Sequence, residues 1–363
     1  MNIKKMLLTV VAATLLLTSC NNETDIPVYT PRGDYEGGVL VVNEGPFQNG
    51  SGTVTYVSND LLESTDAIYK AENTEDIGNI LQSMVLYGNQ AFLVVNNSHK
   101  IKVVNRFTFI KEGTIDEHLV NPRYAVVVNE NLYVSNWGDA AKETGSFIAV
   151  FDVNTLAFKS SIPVSFGPEK MQVIGDMIYV AHAGSRFIKA DKSYEYNNII
   201  SVINSKLSTV ETEIEVAFVP NSMGVDNENN LWVLCGGVPS WTGAETDGFL
   251  YKINSISDEV DTTYKFEGTH PIHLTIDGSN ILYAVSSSVY KMHTSSALLP
   301  LDVYIETEAK SLYGLKASNG FLFVTDAKDY ASAGSLVIYN HISKEKLNTV
   351  ATGIIPSGIY FNN

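Results

Sequence analysis

A short run of hydrophobic residues recurs seven times along this chain, and each run ends on a polar or small residue. The runs are Leu40-Val41-Val42-Asn43, Leu93-Val94-Val95-Asn96, Tyr133-Val134-Ser135-Asn136, Tyr179-Val180-Ala181-His182, Trp232-Val233-Leu234-Cys235, Tyr283-Ala284-Val285-Ser286 and Phe323-Val324-Thr325-Asp326. Their last residues are 53, 40, 46, 53, 51 and 40 positions apart. Runs without polar alternation read as strands covered on both faces. A period of about 40–50 residues with several strands per unit predicts a β-propeller.

The other strands of each unit are legible too. Copies two to seven are each preceded by a strand, opened by Pro122, Pro168, Pro220 and Pro271 in four of them. Behind these openers apolar residues alternate, as in Ala125/Val127, Met171/Val173, Met223/Val225 and Leu274/Ile276, which is the period of two that a strand requires. Turns rich in Asn, Asp and Gly then lead into each copy, for instance Asn129-Glu130-Asn131, Gly175-Asp176 and Asp277-Gly278. A third strand follows each copy (54–57, 101–104, 147–151, 199–203, 249–253, 289–292 and 336–339), and a more polar fourth strand such as 210–216 completes the blade at its wet edge.

The expected fold is therefore all-β, a seven-bladed β-propeller spanning 39–363, with 325 residues shared among seven blades of about 46 each. Blade one has no inner strand upstream of Val39. The missing one lies at the far end, where Pro356-Ser357-Gly358-Ile359-Tyr360-Phe361 repeats the proline-opened pattern. The C-terminal strand should close the ring as the innermost strand of blade one, removing the free sheet edges. An open sandwich or two small β domains is the competing arrangement, and it leaves this complementary terminal strand unexplained.

In a propeller, the loop after the second strand and the loop before the inner strand open on one face. Here the long loops are of this kind: 44–52, 136–146, 182–198, 236–248 and 326–334. They carry Phe47, Trp137, Phe187, Tyr194, Tyr196, Trp241 and Tyr330. Exposed aromatics offer flat apolar bodies, and Tyr and Trp add a polar tip. Such a set suits a large, partly apolar ligand rich in amides or hydroxyls, or else it pins long loops to the ring. At the channel mouth the first residues of the inner strands converge: Gln82, Arg123, Tyr124, Lys170, Asn221, His273 and Tyr313. They read either as a polar binding pocket or as groups that satisfy the inner backbone and its water.

The N-terminus reads as an export signal over residues 1–19, with Lys4 and Lys5 ahead of the 12 apolar-rich residues 6–17. That stretch is short for a bilayer span. Residues 20–38 then read as a tether that begins at Cys20 and carries the acidic, polar stretch 21–25. Without Lys4 and Lys5 the chain has 22 basic and 40 acidic residues, a net charge of −18. So anionic a surface argues against nucleic acid and against anionic lipid as partners. Cys235, the other cysteine, has no partner for an internal disulfide and reads as a small strand-end hydrophobe.

Catalytic constellations are thin. His270 and His273 stand three apart on a strand and so point to opposite faces, which makes a shared metal awkward. No calcium loop, zinc-protease helix or glycine-rich phosphate loop is present. Glu169, Lys170 and His182 form a conceivable acid–base set near the channel, of the kind any polar face supplies. No catalytic residue and no catalytic cofactor or metal is expected.

The run Leu17-Thr18-Ser19-Cys20 resembles the lipobox of bacterial lipoproteins, and Asn21-Asn22-Glu23-Thr24-Asp25 resembles the surface-export tag of Bacteroidetes lipoproteins. Together with the blade style Leu-Tyr-Val-Ser-Asn-Trp-Gly at 132–138, followed by Phe147-Ile148-Ala149-Val150-Phe151-Asp152, they make the mature chain similar to YncE-like propellers, more narrowly to the BtuG-type surface lipoproteins that bind cobalamin. The resemblance implies a lipid anchor on Cys20, a place at the outer membrane facing outward, capture of a corrinoid, and delivery to a TonB-dependent transporter. No ligand-contact motif of that family can be matched here. Loop position and chemistry select the candidate contacts: Phe47, Arg123, Asn136, Trp137, Lys170, His182, Tyr194, Tyr196, Asn221, Trp241, His273, Tyr313 and Tyr330. A glycan- or protein-binding accessory lipoprotein is the alternative, and a propeller lyase or hydrolase a more distant one.

Overall fold

The computed structural model describes residues 30–47, 49–139, 145–188 and 192–363. The expected signal, Cys20 and the acidic stretch after it lie outside the described residues. Arg32–Asn363 form one unit, an all-β ring of seven four-stranded antiparallel sheets.

Each sheet runs from an inner strand outward in chain order. Blade three is typical, with Pro122–Val128, Asn131–Asn136, Phe147–Asp152 and Phe158–Pro163. Blade one has the mixed origin expected of a closed ring. Its outer strands are Val39–Asn43, Thr53–Val57 and Ser64–Thr65, and its inner strand is Pro356–Phe361. Val41 pairs with Ile359 and Val39 with Phe361. The seam is reinforced just upstream, where the backbones of Gly37 and Asn362 join at 2.8 Å and Tyr35 is buried beneath.

Seven separate hydrophobic clusters hold the ring, one at each blade interface. Leu40 and Val42 face blade two with Leu81 and Met84, whereas Val39 and Val41 face blade seven with Phe323 and Leu336. The continuous hydrophobic runs of the sequence exist because each second strand is covered on both faces. In several runs the residue at the end is a joint. Asn96 Nδ2 donates to Pro122 O at 3.0 Å, and Asp326 Oδ1 accepts from the Ser311 and Lys328 amides at 2.9 Å each.

Two elements were not legible. Residues 182–198 are not an open loop, because Ser185–Ile188 and Ser193–Tyr196 pair as a hairpin on top of blade four. Ile68–Asn73 form a short helix between blades one and two, and its Ile68 and Tyr69 are fully buried.

Candidate functional site

The site follows from an irregularity repeated around the axis. Inner strands of blades one, two, three, five, six and seven each slip register at their second or third residue, at Ser357, Gln82, Arg123/Tyr124, Asn221, His273 and Tyr313. A bulge places one unpaired residue against the partner strand and re-aims its side chain. His273 sits there with a φ of 50°, a strained value for a non-glycine residue. The effect, at every one of these positions except Asn221, is a collar of polar side chains turned toward the channel.

Above this collar lies an open cavity of about 790 Å³. Of the residues expected from the sequence, Phe47, Gln82, Arg123, Tyr124, Trp137, Lys170, His273 and Tyr313 line it. Arg123 Nε donates to Glu169 Oε1 at 2.8 Å, and its guanidinium lies 4.4 Å from the Trp137 ring centroid. The pair is mostly buried. Burial pushes the Glu169 carboxyl up, against the pull of Arg123. Glu44 also lines the cavity, and burial raises its carboxyl to about 7, although Arg123 and a Tyr313 hydrogen bond favour its ionised form. Tyr330 meets Tyr313 edge-on at 5.6 Å.

Tyr194, Tyr196 and Trp241 line a second cavity of about 720 Å³, between the blade-four hairpin and the blade-five loop. Tyr194 meets Trp241 edge-on at 5.9 Å, and Trp241 is 70% exposed, so the hairpin leaves its ring available. The loops bearing Trp137 and Trp241 both follow second strands and so emerge on one side of the ring.

The remaining expected residues lie outside both linings. Asn136 is buried, accepting from the Val120 amide and donating to Val134 O. His182 is fully buried, its ring nitrogens 3.1 Å from Phe166 O and 2.9 Å from Ser201 Oγ. Burial lowers its basicity to about 4, so it is neutral near pH 7. Asn221 Nδ2 donates to Pro271 O at 2.9 Å. Cys235 is a buried free thiol, and burial raises its pKa. Among the described residues, no group of three or more His, Cys, Asp or Glu is placed to hold a metal, and no helix is long and apolar enough to cross a membrane.

Sequence reasoning missed Glu44 and Lys316 as cavity residues. Glu44 directly follows the polar end of a repeat, and that position was available as a signal. Lys316 sits within an inner strand whose apolar neighbours Leu315 and Ala317 gave no sign that it borders water.

Two predictions arise here. A Cβ on Gly184 would stand 2.8 Å from both Gly167 Cα and the Trp137 ring. Gly184→Ala should lower stability by about 1–3 kcal/mol and shift tryptophan emission; an unchanged melting temperature would contradict the packing. The folded state keeps a proton on Glu44 that the unfolded chain releases between about 4.5 and about 7. That term therefore lowers stability as pH rises through this window. Glu44→Gln should be the more stable protein at pH 8, by on the order of 2 kcal/mol, and should match wild type at pH 4, as read by thermal melts at both values.

A closed ring of seven four-stranded blades defines a seven-bladed β-propeller. Residues 37–351 match the family model described as Domain of unknown function (DUF5074), and the chain belongs to that family. Curated proteins give no match. Solved structures of similar shape include Kuenenia stuttgartiensis hydrazine synthase, with a TM-score of 0.58 and 17% identity over 76% of this chain and 90% of that one. The dihydro-heme d1 dehydrogenase NirN in complex with DHE has a TM-score of 0.57 and 10% identity, over 92% and 77%. The Neurospora crassa Pan2 WD40 domain has 0.54 and 9%, over 77% and 80%. At such identities these likenesses establish the fold alone.

Proposed function

We propose that this propeller is a non-catalytic capture protein for a corrinoid, anchored through a lipid on Cys20 to the outer surface of the outer membrane and serving a TonB-dependent transporter. The observation that carries the reading is the 790 Å³ cavity, in which Phe47, Trp137 and Tyr313 stand beside Arg123, Glu44 and Lys170. A corrinoid is a broad ring edged with amides, with a phosphate and a nucleotide base. Aromatic walls cover its apolar parts, and the polar collar meets its rim. The collar is built into inner strands that pair with the second strand of each blade and are held in a closed ring, so little ordering is lost on binding, which favours tight capture.

A glycan- or protein-binding role is favoured by a different observation, the exposed Trp241 beside Tyr194 at the second cavity, since a flat exposed ring suits a sugar face. The two readings part in a titration. The purified protein should give calorimetric heat and an absorbance change with cyanocobalamin. Silence at high micromolar ligand, with a positive glycan array, would select the second reading. Activity that collapses on changing Lys170 or His182 while the fold persists would instead make the protein an enzyme.

A further inference from the structure

Beneath the mouth, the channel narrows to a small cavity of about 70 Å³, walled by Lys170, His273, Lys316, Ser222 and Ser357 among others. A water occupies about 30 Å³, so this space holds a group of a few heavy atoms. Its walls are cationic. Among the described residues, neither the Lys170 nor the Lys316 ammonium has an ion-pair or hydrogen-bond partner. The acid that acts on Lys170 is Glu169, which already holds Arg123 at 2.8 Å. After desolvation, Glu169 attracts the Lys170 charge and Lys316 opposes it, and Lys170 in turn keeps His273 neutral after burial has done most of the work. Lys316 is open to the water of the channel yet surrounded by protein.

Folding has thus gathered two ammonium groups beside a carboxylate, Glu169, that is already paired with Arg123, and the surplus positive charge costs stability unless something neutralises it. A second observation points the same way. Ser357 Oγ is buried, lines this cavity and has no hydrogen-bond partner in the protein. An atom in that state is explained by a bound group. Ser222 Oγ, by contrast, is committed to the Leu274 backbone, donating to its carbonyl at 3.3 Å and accepting from its amide at 2.8 Å.

We infer that the channel floor is an oxyanion site, in which Lys170 and Lys316 balance the charge while Ser357 and the neutral His273 donate hydrogen bonds to a phosphate-type group. A tetrahedral oxyanion fits the donor set and the volume better than halide, because it presents several acceptors at once. The group is either the phosphodiester of a captured ligand or free inorganic phosphate. The site stands on its own walls and does not depend on the corrinoid reading.

The test uses inorganic phosphate alone. Wild type should melt at a temperature that rises with phosphate over chloride at matched ionic strength, since a ligand of the folded state stabilises it by mass action. The double variant Lys170→Gln/Lys316→Gln should melt higher than wild type in phosphate-free buffer, because the uncompensated charge is gone, and should gain at least ten-fold less apparent affinity from phosphate. Any general salting effect of phosphate appears in both proteins, so equal shifts in the two would overturn the site. A variant that melts lower than wild type without phosphate would overturn it as well, since the lysines would then be stabilised by some other partner. The source is read by competition. Phosphate that weakens cyanocobalamin binding assigns the anion to the ligand's own phosphodiester. Phosphate bound by a protein indifferent to cyanocobalamin keeps the anion site and removes only the corrinoid reading.

Discussion

Removal of residues 356–363 should leave a chain that does not fold. The loss is larger than one strand. Val39 and Val41 share a cluster with Ile359, Phe323 and Leu336, so the interface between blades seven and one goes with it. The Val39–Asn43 strand would also become a free inner edge carrying unpaired backbone groups, which invites aggregation. The expected result is insoluble protein or loss of a cooperative melt. A permuted chain separates the role of the strand from mere truncation. Gly37 and Gly38 bond to Asn362, so a chain that starts at Pro356, runs through Asn363 and joins by a short linker to Arg32 keeps every pairing of blade one and the buried Tyr35. It should melt cooperatively near wild type. A truncated chain with an intact cooperative melt would show that the ring does not need this closure.

Arg123 is the second position where a large effect is expected. Its guanidinium serves the Glu169 carboxylate and the Trp137 face together. Arg123→Met leaves the buried Glu169 carboxyl without its guanidinium partner, which costs on the order of 3 kcal/mol. The double variant Arg123→Met/Glu169→Gln should recover most of that stability, because a neutral amide tolerates the site, and the non-additivity measures the pair. Ligand capture should not recover. On the proposed function, both proteins should bind cyanocobalamin at least 100-fold more weakly than wild type. Stability restored without binding separates the two roles of Arg123, whereas full binding by the double variant would remove it from the ligand site.

The architecture was legible because its physics is local and repeated. Each second strand is covered on both faces, so its hydrophobicity is unbroken and its spacing visible. The closing strand carried the same proline-opened pattern as the others, which is why Pro356 to Phe361 could be assigned to blade one from 300 residues away. The site was legible in part, for a related reason. Residues placed at the start of an inner strand, such as Arg123, His273 and Tyr313, reach the cavity because the bulge occurs at that position in six blades. Asn136 and His182 occupy the equivalent ends of second strands, and the structure sets both within blades three and four rather than in either cavity lining. A polar residue at a strand end has two available jobs, tying its own loop or facing a ligand, and sequence spacing does not distinguish them. Lys316 was hidden for the opposite reason. Its neighbours are apolar, and only the ring geometry turns that position toward water. The hairpin 185–196 was hidden because short exposed strands lack a buried face to impose alternation.

The most direct test of a corrinoid-capturing mouth is a crystal structure of the protein grown with cyanocobalamin. The ligand should lie across the channel mouth in contact with Arg123, Trp137 and Tyr313, on the side where the loop bearing Trp241 emerges. Density for it on the opposite side of the ring, or along the outer strands with the mouth empty, would contradict the account.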